Sequence, residues 1–168
     1  MSLLHLSLLF LLFYPSSYQR LDDFPNNAFI DFDFDGWINV YHSLEDGNPF
    51  LSIRNEMSIH EDIILIELIK SEDNKFFVNI TNGHDNVFIQ NVYIDKAHIR
   101  VLAQYGVAHL YSLPDYSSAV TTTITEASGY RYSVTDCKDE WLKVSFSNET
   151  GVCVEGWMPP EYQLANPY

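Results

Sequence analysis

The order of aromatic residues repeats along the chain, and this repeat limits the possible folds more than any other feature. Three pairs of segments share that order: residues 39–41 with 109–111, 77–80 with 141–144, and 87–93 with 156–162. Because a repeated order of motifs marks repeated structural units, the sequence predicts two copies, over residues 28–100 and 104–164. A short linker around residues 101–105 would leave the copies in contact.

Clusters of turn-forming residues divide the chain into short apolar runs, at residues 46–49, 82–86 and 147–151 among others. Residues 141–146 alternate apolar and polar side chains, and so do residues 130–134, which is the period of a half-buried strand. The connection over residues 137–140 predicts a hairpin between them. Residues 61–70 are apolar on both faces, and their β-branched side chains favour a strand. The predicted class is all-β.

The first nineteen residues carry no charge, and the run from Leu3 to Phe13 is almost wholly apolar. This length suits the core of a signal peptide and is too short for a membrane-spanning helix. The sequence therefore predicts a signal peptide over residues 1–19, a mature chain that begins between Ser17 and Leu21, and a periplasmic or extracellular protein with no membrane span. The alternative is an apolar N-terminal strand or helix that packs on the body.

The charge of the chain limits its partners. It has 23 acidic and 9 basic residues, a formal net charge of −14. Phosphate backbones are bound by clusters of Lys and Arg, so nucleic acid is not expected as a partner. The acidic surface is interpreted as a solubility feature, with a site for a cationic ligand as the alternative. No cofactor is expected.

The second copy carries three motifs that are similar to those of the Src-homology-3 family, including its bacterial branch in secreted proteins. They are residues 109–113, residues 141–144, and the Gly-aromatic-aliphatic-Pro-x-x-Tyr segment at 156–162. Residues 33–40 resemble the start of bacterial members. The resemblance implies two tandem Src-homology-3-like small β-barrels. The first copy departs from the pattern, with Phe77 and Gln90 where the family has Trp and Pro, and with about seven extra residues between Ile53 and Phe77.

The resemblance also implies a ligand-binding groove for extended, proline-rich peptides, which stack on flat aromatic faces. The groove residues would be Tyr111, Trp141, Pro159 and Tyr162, with Tyr116 in place of a second family Tyr. The alternative is that these aromatics only cover the barrel. The expected function is a non-catalytic secreted module that binds a peptide or protein partner, including a cell-wall-derived peptide. The alternative function is a structural or inhibitory interaction subunit, an accessory or immunity protein, that has no groove.

Two further patterns bear on chemistry. Asp31, Asp33 and Asp35 match the front of a calcium-binding loop, but His42 stands where the completing Glu belongs. We therefore expect no metal site, and these three carboxylates are the one candidate set of metal ligands. Cys137 and Cys153 would lie about four residues apart along a three-stranded meander, too far for a disulfide, and buried free thiols are expected. A nucleophilic Cys needs a His within hydrogen-bond reach. Five of the six His residues lie before or near Arg100, both Cys residues lie after Asp136, and neither Cys has the flanking sequence of a cell-wall peptidase. No catalytic residue is therefore predicted.

Overall fold

The structure is a computed structural model, and it describes residues 27–56, 63–82, 87–147 and 151–164. The predicted signal peptide and its cleavage site lie outside these residues. The described residues form thirteen β-strands and two short 3-10 helices, Ala127–Gly129 and Pro160–Tyr162. None of the helices in this part of the chain is long and apolar enough to cross a membrane. The predicted all-β class is confirmed.

The strands are numbered in chain order. They are β1 Ala28–Ile30, β2 Gly36–Tyr41, β3 Leu51–Asn55, β4 Ile64–Glu72, β5 Lys75–Asn82, β6 Val87–Asp95, β7 Ile99–Ala103, β8 Val107–Tyr111, β9 Val120–Thr125, β10 Arg131–Lys138, β11 Trp141–Ser147, β12 Cys153–Met158 and β13 Gln163–Leu164. The predicted strand within residues 61–70 is present as β4, and the predicted hairpin is present as β10 and β11.

All described strands belong to one antiparallel sheet, and its strand order repeats. The first unit, β1 to β7, has the order β3-β2-β6-β5-β4-β1-β7. The second unit, β7 to β13, has the order β9-β8-β12-β11-β10-β7-β13. Adding six to each strand number of the first unit gives the second. The two copies inferred from the aromatic order therefore share one topology, and β7 serves as the last strand of one unit and the first of the next.

Strand β7 joins the two units through backbone hydrogen bonds. One of its edges pairs with β10, and its other partners are β1 and β13. The predicted linker around residues 101–105 is wrong in part, because β7 continues to Ala103. Among the described strands, β3 and β9 at the two ends of the sheet do not pair, so hydrogen bonds do not close it. Separate barrels, and the division between residues 100 and 104, stay a prediction.

The sheet register fixes which residues correspond between the units. Tyr41 pairs with Tyr93 across β2 and β6, and Tyr93 pairs with Phe77 of β5. In the second unit Tyr111 pairs with Trp157, and Trp157 pairs with Lys143 of β11. Tyr41 therefore corresponds to Tyr111, as the aromatic order predicted. Phe77 corresponds to Lys143.

The predicted match of Phe77 with Trp141 is wrong, and the residue at the Trp141 position is Lys75. Lys75 begins β5 directly after a two-residue turn and pairs with Glu72. Trp141 begins β11 directly after a two-residue turn and pairs with Lys138. By the same register Asp95, rather than Gln90, stands at the place of Pro159. The spacing from Ile53 to Lys75 is 22 residues, and the spacing from Ile124 to Trp141 is 17. The extra segment in the first unit is therefore five residues long, not seven. Phe77 and Trp141 are both aromatic, but they do not occupy equivalent positions in the strand register.

A single hydrophobic core runs through both units, and it draws on inward-facing residues of nearly every strand. The largest fully buried side chain is Tyr132 of β10, whose hydroxyl donates to the carbonyl oxygen of Ala127 at 2.9 Å. A buried hydroxyl needs such a partner to avoid a desolvation cost.

The corresponding strands β4 and β10 share an irregularity. The register of each shifts at an equivalent position, after Leu68 in β4 and after Val134 in β10.

The two cysteines are free, as predicted, and they lie at opposite ends of β11. Cys137 pairs with Leu142, whereas Cys153 pairs with Ser147. The expectation that both thiols are buried is wrong for Cys153, which is exposed at the start of β12. Cys137 is half-buried, and burial raises the pKa of its thiol to about 12.

Candidate functional site

Three of the five predicted groove residues meet on one side of the second unit. Tyr111 ends β8, Tyr116 lies in the loop that follows, and Trp141 begins β11. Their ring centroids are 5.4 Å apart for Tyr111 and Trp141, 4.7 Å for Tyr116 and Trp141, and 6.1 Å for Tyr111 and Tyr116. All three pairs are edge-to-face, the geometry that aromatic quadrupoles favour. We call these three residues the aromatic cluster.

The position of Trp141 is set by the hairpin between β10 and β11. Its two turn residues, Asp139 and Glu140, have φ values of +48° and +68°. Positive φ at both central residues defines the tight turn that suits the twist of a hairpin. The side-chain amide of Gln163 donates to the carbonyl oxygen of Glu140 at 2.8 Å and to that of Met158 at 3.0 Å. This amide ties the turn to the end of β12.

Trp141 does not present an open face. Its side chain is only 6% exposed, whereas Tyr116 is 58% exposed and packs against it. The hydroxyl of Tyr116 donates to the carboxylate of Glu161 at 2.5 Å, and this hydrogen bond raises the pKa of Tyr116 to about 12. Trp141 therefore offers little open surface for a ligand, and its role as a groove residue stays a prediction. The accessible aromatic surface belongs mainly to Tyr116.

Pro159 and Tyr162 lie at the end of β12. Pro159 is buried, and its carbonyl oxygen accepts from the backbone N–H of Tyr162 at 3.1 Å in the short 3-10 helix. The ring of Tyr162 is half-buried and lies edge-on to the ring of His109, with centroids 5.9 Å apart. Burial raises the pKa of Tyr162. Pro159 follows Met158, which pairs with Leu142, and so it lies across from Trp141. Tyr162 lies beside β8 through its contact with His109.

Sequence reasoning missed two residues of this surface. His109 lies two positions before Tyr111 on β8, so the alternation of a strand places it on the same face. Its Nδ1 lies 3.0 Å from the Oγ1 of Thr123. Glu161 was missed because its contact with Tyr116 joins residues 45 positions apart. Strand alternation could have indicated His109, but nothing local indicates Glu161.

Gly156 allows β12 to approach β8 closely below the cluster. A Cβ at this position would lie 2.8 Å from the Cβ of Leu110 and 3.3 Å from the carbonyl oxygen of Tyr111. Real Cβ atoms essentially never lie within 3.0 Å of another atom, so the contact with Leu110 would force a shift, and both neighbours belong to β8. The Gly of the 156–162 motif is therefore required by packing.

The three carboxylates considered for calcium bind arginine side chains instead. The ion pairs are Asp31 with Arg100 at 2.9 Å and with Arg131 at 2.8 Å, Asp33 with Arg131, and Asp35 with Arg54. Guanidinium groups provide the positive charge that a cation would supply. Within the described residues, no group of three or more His, Cys, Asp or Glu side chains is arranged to hold a metal ion. Arg131 lies on β10, so these pairs also connect the two units.

The surface around the aromatic cluster is acidic and partly apolar. Asp115 is next to Tyr116 in the chain, and Asp139 and Glu140 directly precede Trp141. Leu113 is exposed in the same loop as Tyr116. Such a surface can stack flat apolar groups and attract a positive charge.

No family model matches the chain, and no curated protein matches it in sequence.

Proposed function

We propose that the chain is a non-catalytic binding protein whose second unit is a Src-homology-3-like module for an extended, proline-containing peptide. The observation that carries the proposal is the edge-to-face packing of Tyr111, Tyr116 and Trp141 at the end of β8. A preordered aromatic surface loses little conformational entropy when a ligand binds. Peptides in the polyproline conformation have the same advantage.

The order of elements in the second unit supports the proposed fold. A long loop follows the Tyr of β8, the hairpin of β10 and β11 leads to Trp141, and a 3-10 helix separates β12 from β13. The three motifs that resemble the family lie at the end of β8, at the start of β11, and from the end of β12 into the 3-10 helix. Small Src-homology-3-like barrels and export from the cell belong to the same proposal.

A basic residue in the ligand would favour binding. Glu161 contacts Tyr116, Asp115 is next to Tyr116 in the chain, Glu140 directly precedes Trp141, and the whole chain is acidic. A cation near Tyr or Trp rings also gains from the ring quadrupole. We therefore propose a ligand that combines prolines with Lys or Arg, from a protein partner or from cell-wall peptide.

A second candidate function rests on a different surface. Trp37 is 61% exposed on β2, and Phe50 and Leu51 are exposed where the edge strand β3 begins, near the other end of β2. An exposed apolar patch away from the aromatic cluster favours a protein-interaction subunit that binds through this edge. The chain has both features, so a binding experiment must separate them.

The test is calorimetric titration of the purified protein with proline-rich peptides that contain one Arg or Lys. Tyr116→Ala should weaken binding about tenfold or more, which corresponds to a contribution of about 1.4 kcal/mol or more from an exposed aromatic anchor. The matched control is Trp37→Ala, which removes an equally exposed ring from the first unit and should leave the affinity unchanged. Equal affinities for the wild type and Tyr116→Ala would overturn the assignment of the site. Failure of every peptide in the panel to bind would overturn the proposed function.

A further inference from the structure

The first unit has a polar cluster at the place that corresponds to the aromatic cluster of the second. The register places Tyr41, Lys75 and Asp95 at the positions of Tyr111, Trp141 and Pro159. Only the Tyr is common to both units. A Trp and a Pro of the proposed groove are thus replaced by two charged residues.

Lys75 is a buried lysine whose ammonium group is held from within the first unit. Its side chain is 7% exposed, and its Nζ donates to the carbonyl oxygen of Leu44 at 2.9 Å. The same Nζ lies 4.3 Å from the centroid of the Tyr41 ring. A cation over the face of an aromatic ring is an attractive contact, so the chain's own lysine occupies the ring that a ligand would need.

Asp95 reinforces this closure. Its carboxylate accepts a hydrogen bond from the hydroxyl of Tyr41 at 3.2 Å. In the second unit, the buried ring of Pro159 stands at the same position. An apolar ligand bound there would remove the Asp95 carboxylate from water without offering it a hydrogen bond, and this desolvation disfavours binding.

We infer that Lys75 is a specificity-determining residue that closes the first unit to proline-containing peptides, so that each chain holds one peptide, on the second unit. This inference rests on the proposed function. Both units have the same strand order and the same Tyr at the end of the corresponding strand. The two units differ at the first residue of β5 and of β11. Lys75 lies over the Tyr41 ring, whereas Trp141, itself buried, supports the exposed ring of Tyr116.

The first experiment tests the closure without a ligand. The folded protein is acetylated with an amine-reactive ester, and the rate at each lysine is followed by mass spectrometry. Lys75 should react at least about tenfold more slowly than the exposed Lys138, because it becomes accessible only through local opening. Equal rates at the two lysines would overturn the inference whether or not any peptide binds.

The second experiment measures stoichiometry by calorimetry with the peptide that binds best. The wild type should bind one peptide per chain, and Tyr116→Ala should leave no second site of similar affinity. The double variant Lys75→Trp with Asp95→Pro, checked for folding by circular dichroism, should gain a second site. Two sites on the wild type, or one remaining site of unchanged affinity in Tyr116→Ala, would overturn the inference while leaving peptide binding established. A folded double variant that still binds one peptide would also overturn it.

Discussion

Truncation of Trp141 to Ala should cost stability before it costs binding. The ring is 6% exposed and lies within 5.4 Å of Tyr111 and 4.7 Å of Tyr116, measured between ring centroids. Removal of a buried Trp leaves a cavity that neighbouring strands fill only in part, and such changes cost about 3–5 kcal/mol. For a chain of this size each kcal/mol lowers the melting temperature by about 2–4 °C. The expected decrease is thus roughly 6–20 °C.

The assay is urea unfolding followed by far-ultraviolet circular dichroism, with thermal unfolding as a second measure. The matched control is Trp37→Ala, because that ring is 61% exposed and its loss should cost less than about 1 kcal/mol. A Trp141→Ala variant with the stability of the wild type would refute the reasoning. In that case the indole would be dispensable for packing, which would favour a role in ligand binding.

Three further predictions follow from the second unit. Gly156→Ala should destabilise the protein by about 1–3 kcal/mol in urea unfolding, since the added Cβ overpacks β8 and β12, and an unchanged midpoint would contradict the close approach. Tyr116 should titrate near pH 12 in an ultraviolet absorbance titration, and Glu161→Gln should lower that pKa. The hydrogen bond then stabilises the fold fully below the ordinary pKa of Tyr, near 10, and its contribution is lost as the pH rises from about 10 to about 12; an ordinary pKa for Tyr116 would contradict the contact. Cys137 should react with a thiol reagent more slowly than the exposed Cys153, because burial raises its pKa to about 12, and equal rates would contradict its burial.

Local sequence patterns were sufficient for the strands and for the number of units. Alternation in residues 141–146 and the turn before them predicted β10 and β11, and the repeated aromatic order predicted a repeated topology. The strands and the repeat depend on side-chain period and turn chemistry, which act over a few residues. The motifs also singled out Tyr111, Tyr116 and Trp141, whose rings meet in the structure, and their role as a ligand groove stays a prediction.

The alignment between the units could not be obtained in the same way. Phe77 and Trp141 look equivalent as aromatic residues, yet only Lys75 follows a turn at the position of Trp141. The turn residues 73–74 and 139–140 were a usable signal, because both pairs end a strand and reverse the chain. Side-chain type favours Phe77, whereas turn position favours Lys75, and the strand pairing agrees with the turn.

The sequence by itself determined the all-β class, the twofold repeat and the Tyr at the end of β2 and of β8. Tertiary structure alone decided that Tyr116 covers Trp141, that Lys75 lies over Tyr41, and that β7 belongs to both units. The physical reason is the range of the interactions. Period and turn preference are properties of neighbouring residues, whereas pairing register and burial depend on strands that lie far apart in the chain and meet only in the folded sheet.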